Sequence, residues 1–147
     1  MQEPLQVVCP QCDGVNRVPR ERLHEHPRCG RCKNELFTGH PASLDSRNFD
    51  THVGRGDLPV VVDFWAAWCG PCRAMAPVFE QAAQVLEPGI RLAKLDTEAA
   101  PDIAQRFDIR SIPTLVLFHR GKLIARQAGA MPGAALMNWI RANAPAG

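Results

Sequence analysis

The 147-residue chain predicts an α/β fold, a mixed sheet flanked by helices, with a small N-terminal four-cysteine module in front of it. Three observations predict this. From residue 42 onward, apolar runs of strand character alternate with helical patterns in the order βαβαβαββα, and the two late strands adjoin. Residues 1–40 hold few aliphatics and one aromatic, Phe37, too little to fold alone without a metal or disulfides. Gly39-His40-Pro41 punctuates the join, which divides the chain into a module at 1–40 and a domain at 41–147.

The elements of the domain follow in order. Ala42-Ser-Leu44 reads as a short edge strand. Asp45 is a good N-cap for a helix over about Ser46–Val53, with Phe49 and Val53 four apart on one face. Pro59–Trp65 is nearly all apolar and β-branched, as suits a central strand covered on both sides. A helix then begins near Pro71, where the missing N–H costs nothing, and runs to about Leu86 with a kink expected at Pro77. Ile90–Leu95 is a second central strand and Ala100–Phe107 a short helix. Thr114–His119 and Lys122–Ala128 are strands joined at Arg120-Gly121. A final amphipathic helix, Ala134–Ala142, carries Leu136, Trp139 and Ile140, with Trp139 expected in the core.

The six cysteines divide between two chemistries. Cys9, Cys12, Cys29 and Cys32 form a CxxC-x16-CxxC array with the spacing of a four-thiolate zinc site. Four thiolates fill a tetrahedron, so one structural ion is expected, and His24, His26 and His40 are spare. Two structural disulfides or an extra redox pair are the rival readings. Cys69-Gly70-Pro71-Cys72 follows an apolar strand and opens a helix. There, unpaired N–H groups and the positive end of the helix dipole favour a thiolate at Cys69. Cys72 lies one turn on and is expected to be the more buried. Reversible disulfide exchange is the chemistry such a pair performs.

Bulk properties exclude several classes. A formal charge of +2 does not by itself imply a polyanionic partner. Residues 1–40 hold six Arg or Lys against five acids and lack stacking aromatics, which argues against nucleic acid. No apolar run approaches the roughly 20 residues of a membrane span. Met1-Gln-Glu-Pro-Leu has neither the basic nor the apolar segment of a secretory signal. Zinc thiolates and a working dithiol need reducing surroundings, so the cytoplasm is the expected location.

Val62-Asp-Phe-Trp-Ala-Ala-Trp-Cys-Gly-Pro-Cys-Arg73, Lys94-Leu-Asp96 and Ile109-Arg-Ser-Ile-Pro-Thr-Leu115 resemble the signature stretches of the thioredoxin family. With Phe118-His-Arg-Gly-Lys122 and Gly129-Ala130 they cover about residues 42–144 in order. The four-cysteine extension resembles that of the zinc-bearing bacterial subclass, thioredoxin 2. The resemblance implies a thioredoxin-like sheet and a monomeric protein-disulfide reductase. It implies disulfide-bearing protein substrates and restoration by an NADPH-dependent thioredoxin reductase, with no bound organic cofactor. It implies Cys69 as nucleophile and Cys72 as resolving thiol. Asp63, desolvated in its strand, would take the proton of Cys72, with Lys94 nearby. A docking groove would comprise Trp68, Gly70, Pro71, Ile112, Pro113, Gly129 and Ala130, with a cis bond at Ile112-Pro113. Ala67 and Met131 occupy positions that vary in the family, which leaves substrate preference open. Gly70-Pro71 resembles the reducing members; a disulfide isomerase or oxidant is the alternative within the same chemistry, and a zinc-ribbon adaptor the alternative outside it.

Overall fold

A computed structural model describes residues 3–145. Met1 and Gln2, on which the reading of the leader partly rests, lie outside the described residues. Two sheets are present. The N-terminal one is a hairpin of β1 (Leu5–Val8) and β2 (Val15–Val18). The second has five strands in the order β3-β5-β4-β6-β7, namely β3 (Ala42–Leu44), β5 (Arg91–Asp96), β4 (Val60–Trp65), β6 (Thr114–His119) and β7 (Lys122–Ala128). The first three are mutually parallel, and β6 and β7 are antiparallel. The expected edge strand, both central strands and the late hairpin are therefore in place. At the hairpin turn Arg120 and Gly121 both have positive φ, 51° and 83°, which matches the twist of the flanking strands.

Side-chain alternation divides the core between the two faces. Val60, Val62 and Phe64 of β4 point to one side, with Phe49, Val53 and Ile103. Val61 points to the other, with Met75 and Phe79 of helix α1 (Gly70–Leu86) and Leu136 and Ile140 of helix α3 (Gly133–Asn143). A short helix, α2 (Pro101–Arg106), lies between β5 and β6 in the chain. α1 runs through the exposed Pro77, and Trp139 is half-buried against the α1–α3 cluster.

One element departs from expectation. Asp45 does cap a turn, its Oδ1 accepting from the N–H groups of Arg47 and Asn48 at 2.8 and 2.9 Å. A regular helix over 46–53 does not follow. After a turn at 46–48 and a brief α-helical start at 49–50, where the N–H groups of Phe49 and His52 donate four residues back to Asp45 and Asn48, the chain widens into a π-type turn over Thr51–Arg55. This stretch turns His52 inward, 3% exposed, to hydrogen-bond Asp13 Oδ1 of the N-terminal module at 2.8 Å. Helical periodicity alone carries no sign of that contact.

The module has its own small core, in which Leu5, Val7, Val18, Leu23 and Leu36 gather around Cys9 and Cys29 and are completed by Leu58 from the domain. Docking is mostly polar. Gln6 and Asp57 exchange two hydrogen bonds, Gln6 N–H to Asp57 Oδ2 at 2.7 Å and Asp57 N–H to the Gln6 carbonyl at 2.9 Å. At the start of β5 the buried Arg91 donates to the carbonyls of Val8 at 3.1 Å and Leu36 at 2.9 Å. Its planar guanidinium also lies 4.7 Å from the centre of the Phe37 ring. These contacts put the module at the N-terminal ends of β4 and β5. The Cys-x-x-Cys loop lies beyond the opposite end of β4, about 20 Å away for six extended residues.

Candidate active site and metal centre

Cys69 is the N-cap residue of α1 and is joined by a disulfide to Cys72, with the two Cα atoms 5.2 Å apart. The Cys72 N–H donates to Cys69 Sγ at 3.2 Å, so a first-turn amide is aimed at the sulfur where a thiolate develops. The sequence places the pair correctly but overstates their difference in burial. Cys69 is 4% exposed and Cys72 2%. Cys69 is covered because its Sγ packs 3.7 Å from the Ile112 carbonyl oxygen of the facing loop.

That loop has the expected cis bond at Ile112-Pro113. Pro113 is buried and Ile112 half-buried. Gly129, at φ +95°, donates its N–H to the Pro113 carbonyl at 2.8 Å, which brings the 129–130 segment alongside. Side chains rarely adopt that φ, so glycine suits the position. Gly70, Pro71 and Ala130 are exposed around the dithiol, and Trp68 stands 68% exposed with its Nε1 donating to Glu98 Oε1 at 2.8 Å. All the residues assigned to the groove thus converge on one end of the sheet. Glu98, which fixes the indole, carries no signal in the sequence.

Asp63 is fully buried, and neither carboxylate oxygen has a hydrogen-bond partner among the described residues. Strand alternation puts it on the face of β4 that packs α1, the helix that begins at the dithiol. Burial pushes its pKa up to about 7, against a weaker downward pull from Lys94. Lys94 is its register partner on β5, half-buried, with Nζ 4.4 Å from the centre of the Trp65 ring. A carboxyl that titrates near neutrality, with no hydrogen bond to satisfy, is suited to exchanging a proton.

At the other end of the molecule the Sγ atoms of Cys9, Cys12, Cys29 and Cys32 all lie within 4.8 Å of one another. The pairs Cys9–Cys32 and Cys12–Cys29 are 3.6 Å apart, too far for disulfides. They approach the roughly 3.8 Å edge of a tetrahedron with bonds of about 2.3 Å. Backbone N–H groups of Gln11 and Arg31 reach Cys9 and Cys29 Sγ at 3.4 Å, and Asn34 Nδ2 reaches Cys32 Sγ at 3.4 Å. Such donors stabilise thiolates. Burial foremost, with the neighbouring thiols Cys32 and Cys12, pushes Cys9 up to about 12, a penalty that a central divalent cation would remove. Soft sulfur donors in this closed tetrahedral set fit zinc, and His24, His26 and His40 take no part.

The comparisons agree with this geometry. The thioredoxin family profile matches residues 40–142, and the thioredoxin 2 N-terminal zinc-ribbon profile matches residues 8–34. Thioredoxin C-3 of Corynebacterium nephridii is 45% identical over 134 residues, 91% of this chain and 92% of that protein. A putative thioredoxin 2 of Streptomyces coelicolor is 45% identical over 66% of this chain and 71% of its own length. The thioredoxin of Rickettsia bellii is 36% identical over 69% of this chain and 97% of its own. A thiol-disulfide oxidoreductase carrying a zinc ribbon is the class that fold and site define. The chain belongs to the thioredoxin family, whose members are protein-disulfide reductases.

Proposed function

We propose that this protein reduces disulfides of other proteins in the cytoplasm, as a monomer, with one structural zinc ion and no bound organic cofactor. The reading rests above all on the Cys69–Cys72 disulfide at the N-cap of α1. In the reduced protein, Cys69 thiolate attacks one sulfur of a substrate disulfide. A mixed disulfide forms and the other substrate sulfur leaves as a thiolate, which takes up a proton. Cys72 then gives its proton to Asp63 and attacks Cys69 Sγ, which releases the second substrate thiol. Two electrons have passed to the substrate, and Cys69–Cys72 is left oxidised.

The residues around the pair divide the remaining work. Asp63 accepts and returns the proton, and Lys94 keeps its carboxyl from rising out of the useful range. Trp68, Gly70, Pro71, Ile112, Pro113, Gly129 and Ala130 form the surface on which an extended substrate segment lies, hydrogen-bonding in the manner of an added strand. An NADPH-dependent flavoprotein, thioredoxin reductase, returns the two electrons. No helix among the described residues is long and apolar enough to cross a membrane. Residues 1–40 form the zinc module and residues 41–147 the catalytic domain. Cys9, Cys12, Cys29 and Cys32 hold the ion, which supplies folding free energy to a segment too small to fold without it.

Insulin reduction coupled to NADPH oxidation through thioredoxin reductase tests the reading. Turnover by the wild type and none by Cys69→Ser is expected. A dithiol that oxidises reduced substrates and fails to reduce insulin under the same conditions contradicts it.

A further inference from the structure

We infer that the zinc module carries a docking site for acidic polypeptide segments, formed by Arg17, Arg22 and Arg28. The three guanidinium-bearing residues line a single open cleft of about 400 Å³. All three are exposed, and none is in an ion pair among the described residues. One acid, Glu25, lines the same cleft, so the wall carries a net excess of two positive charges.

The arms stand on fixed backbone. Arg17 lies on β2, Arg22 ends the short helical turn Arg20–Arg22, and Arg28 precedes Cys29 with its backbone in an isolated antiparallel β-bridge to that of Glu35. Pro19 and Pro27 line the cleft between them, and one amino group of Arg28 is already held by the Lys33 carbonyl at 3.1 Å. A guanidinium held in this way, that of Arg28, loses less entropy on binding than a free side chain. Planar guanidinium forks match carboxylates in pairs.

Charge and composition select the occupant. Binders of single-stranded nucleic acid combine stacking aromatics with their phosphate contacts. The module's one aromatic, Phe37, lies under Arg91 on the docked side instead. A run of Asp or Glu side chains meets the cleft's chemistry without that requirement. The cleft belongs to the module, at the opposite end of the sheet from Cys69, so a protein substrate of domain size can hold both at once while a small disulfide cannot. This deepens the reductase reading by giving it a substrate class, protein disulfides accompanied by an acidic segment. Such a second contact raises the local concentration of the disulfide at the groove.

Fluorescence anisotropy with a labelled heptaglutamate peptide tests the site directly. The peptide has no disulfide, so a negative result leaves the reductase reading untouched. Zinc-loaded full-length protein is expected to bind it saturably at low salt, with affinity falling as salt rises. Arg17→Gln, Arg22→Gln and Arg28→Gln combined should lose about tenfold or more, and each single change about threefold. Arg55→Gln, Lys122→Gln and Arg141→Gln combined remove the same charge elsewhere and should change binding less than about twofold. Zinc content measured on each variant verifies the fold, and the single variants decide if the triple one fails to load metal. Equal losses in both triple variants, no saturable binding, or tighter binding of a ten-residue oligothymidylate through the same arginines would each overturn the proposal.

Discussion

Arg91 and Glu87 form a buried ion pair at 2.9 Å, side chains 4% and 3% exposed, at the seam between the two sheets. Glu87 caps the C-terminus of α1 and also accepts the Gly39 N–H at 3.0 Å. Arg91 spends its other amino group on Val8, next to the ligand Cys9, and on Leu36. These acceptors come from both halves of the four-cysteine module, which share an apolar core and, between them, the four clustered cysteines. A metal held by those cysteines would fix the two halves further, so metal occupancy and the satisfaction of Arg91 are expected to be linked.

Arg91→Met should leave Glu87 buried without its partner, at a cost of about 3–5 kcal/mol. It should also speed transfer of zinc to a chromogenic chelator. Thermal melts with zinc present and stripped provide the check: the metal-dependent gain in Tm should shrink in the variant. An unchanged gain together with unchanged zinc transfer would show that Arg91 does not connect the two parts.

Asp63 gives a pH-dependent prediction whose sign is fixed by its environment. Its folded pKa, about 7, exceeds the unfolded value of about 3.9, so the folded state holds the proton more tightly. Wild-type stability therefore falls as pH rises from about 4 through 7. Asp63→Ala removes this effect and leaves a cavity whose cost does not vary with pH. Compared with wild type, both oxidised, the variant should gain roughly 3–4 kcal/mol between pH 4 and pH 8. Denaturant melts at the two pH values measure it. A difference that stays flat with pH would mean that the carboxyl is ionised and paired in the folded protein.

Most of the domain was legible from residue 42 on because its strands are unbroken apolar runs and its helices keep a clear stripe. Cys69, Cys72 and the four N-terminal cysteines were legible because spacing alone restricts what sulfur ligands can do. Trp68, Ile112, Gly129 and Ala130 came from likeness to a family, since no local pattern says that three loops distant in sequence will meet. The seam was missed. An arginine at the head of an otherwise apolar strand, Arg91, was the one available sign of a buried charge seeking partners. Asp13, His52 and Glu87 gave none, because each is an ordinary polar residue until the module docks.

Removing residues 1–40 should leave a folded domain. The two clusters on the faces of the five-stranded sheet draw every member from residues 42–144, and only the third, around Leu58, spans the join. The truncated protein should keep native circular dichroism and insulin reduction, with a lower Tm from the uncovered Leu58 and the opened Arg91–Glu87 pair. An unfolded truncation would show that the module is an integral part of the core.

Trapping of a mixed disulfide tests the assignment of Cys69 and Cys72 most directly. Reduced Cys72→Ser and Cys69→Ser are each mixed with a protein disulfide substrate and resolved by non-reducing electrophoresis and mass spectrometry. Cys72→Ser should accumulate a covalent adduct through Cys69 that a thiol reductant releases, while Cys69→Ser should form almost none. Adducts in equal yield from both variants, or mainly through Cys72, would contradict the account.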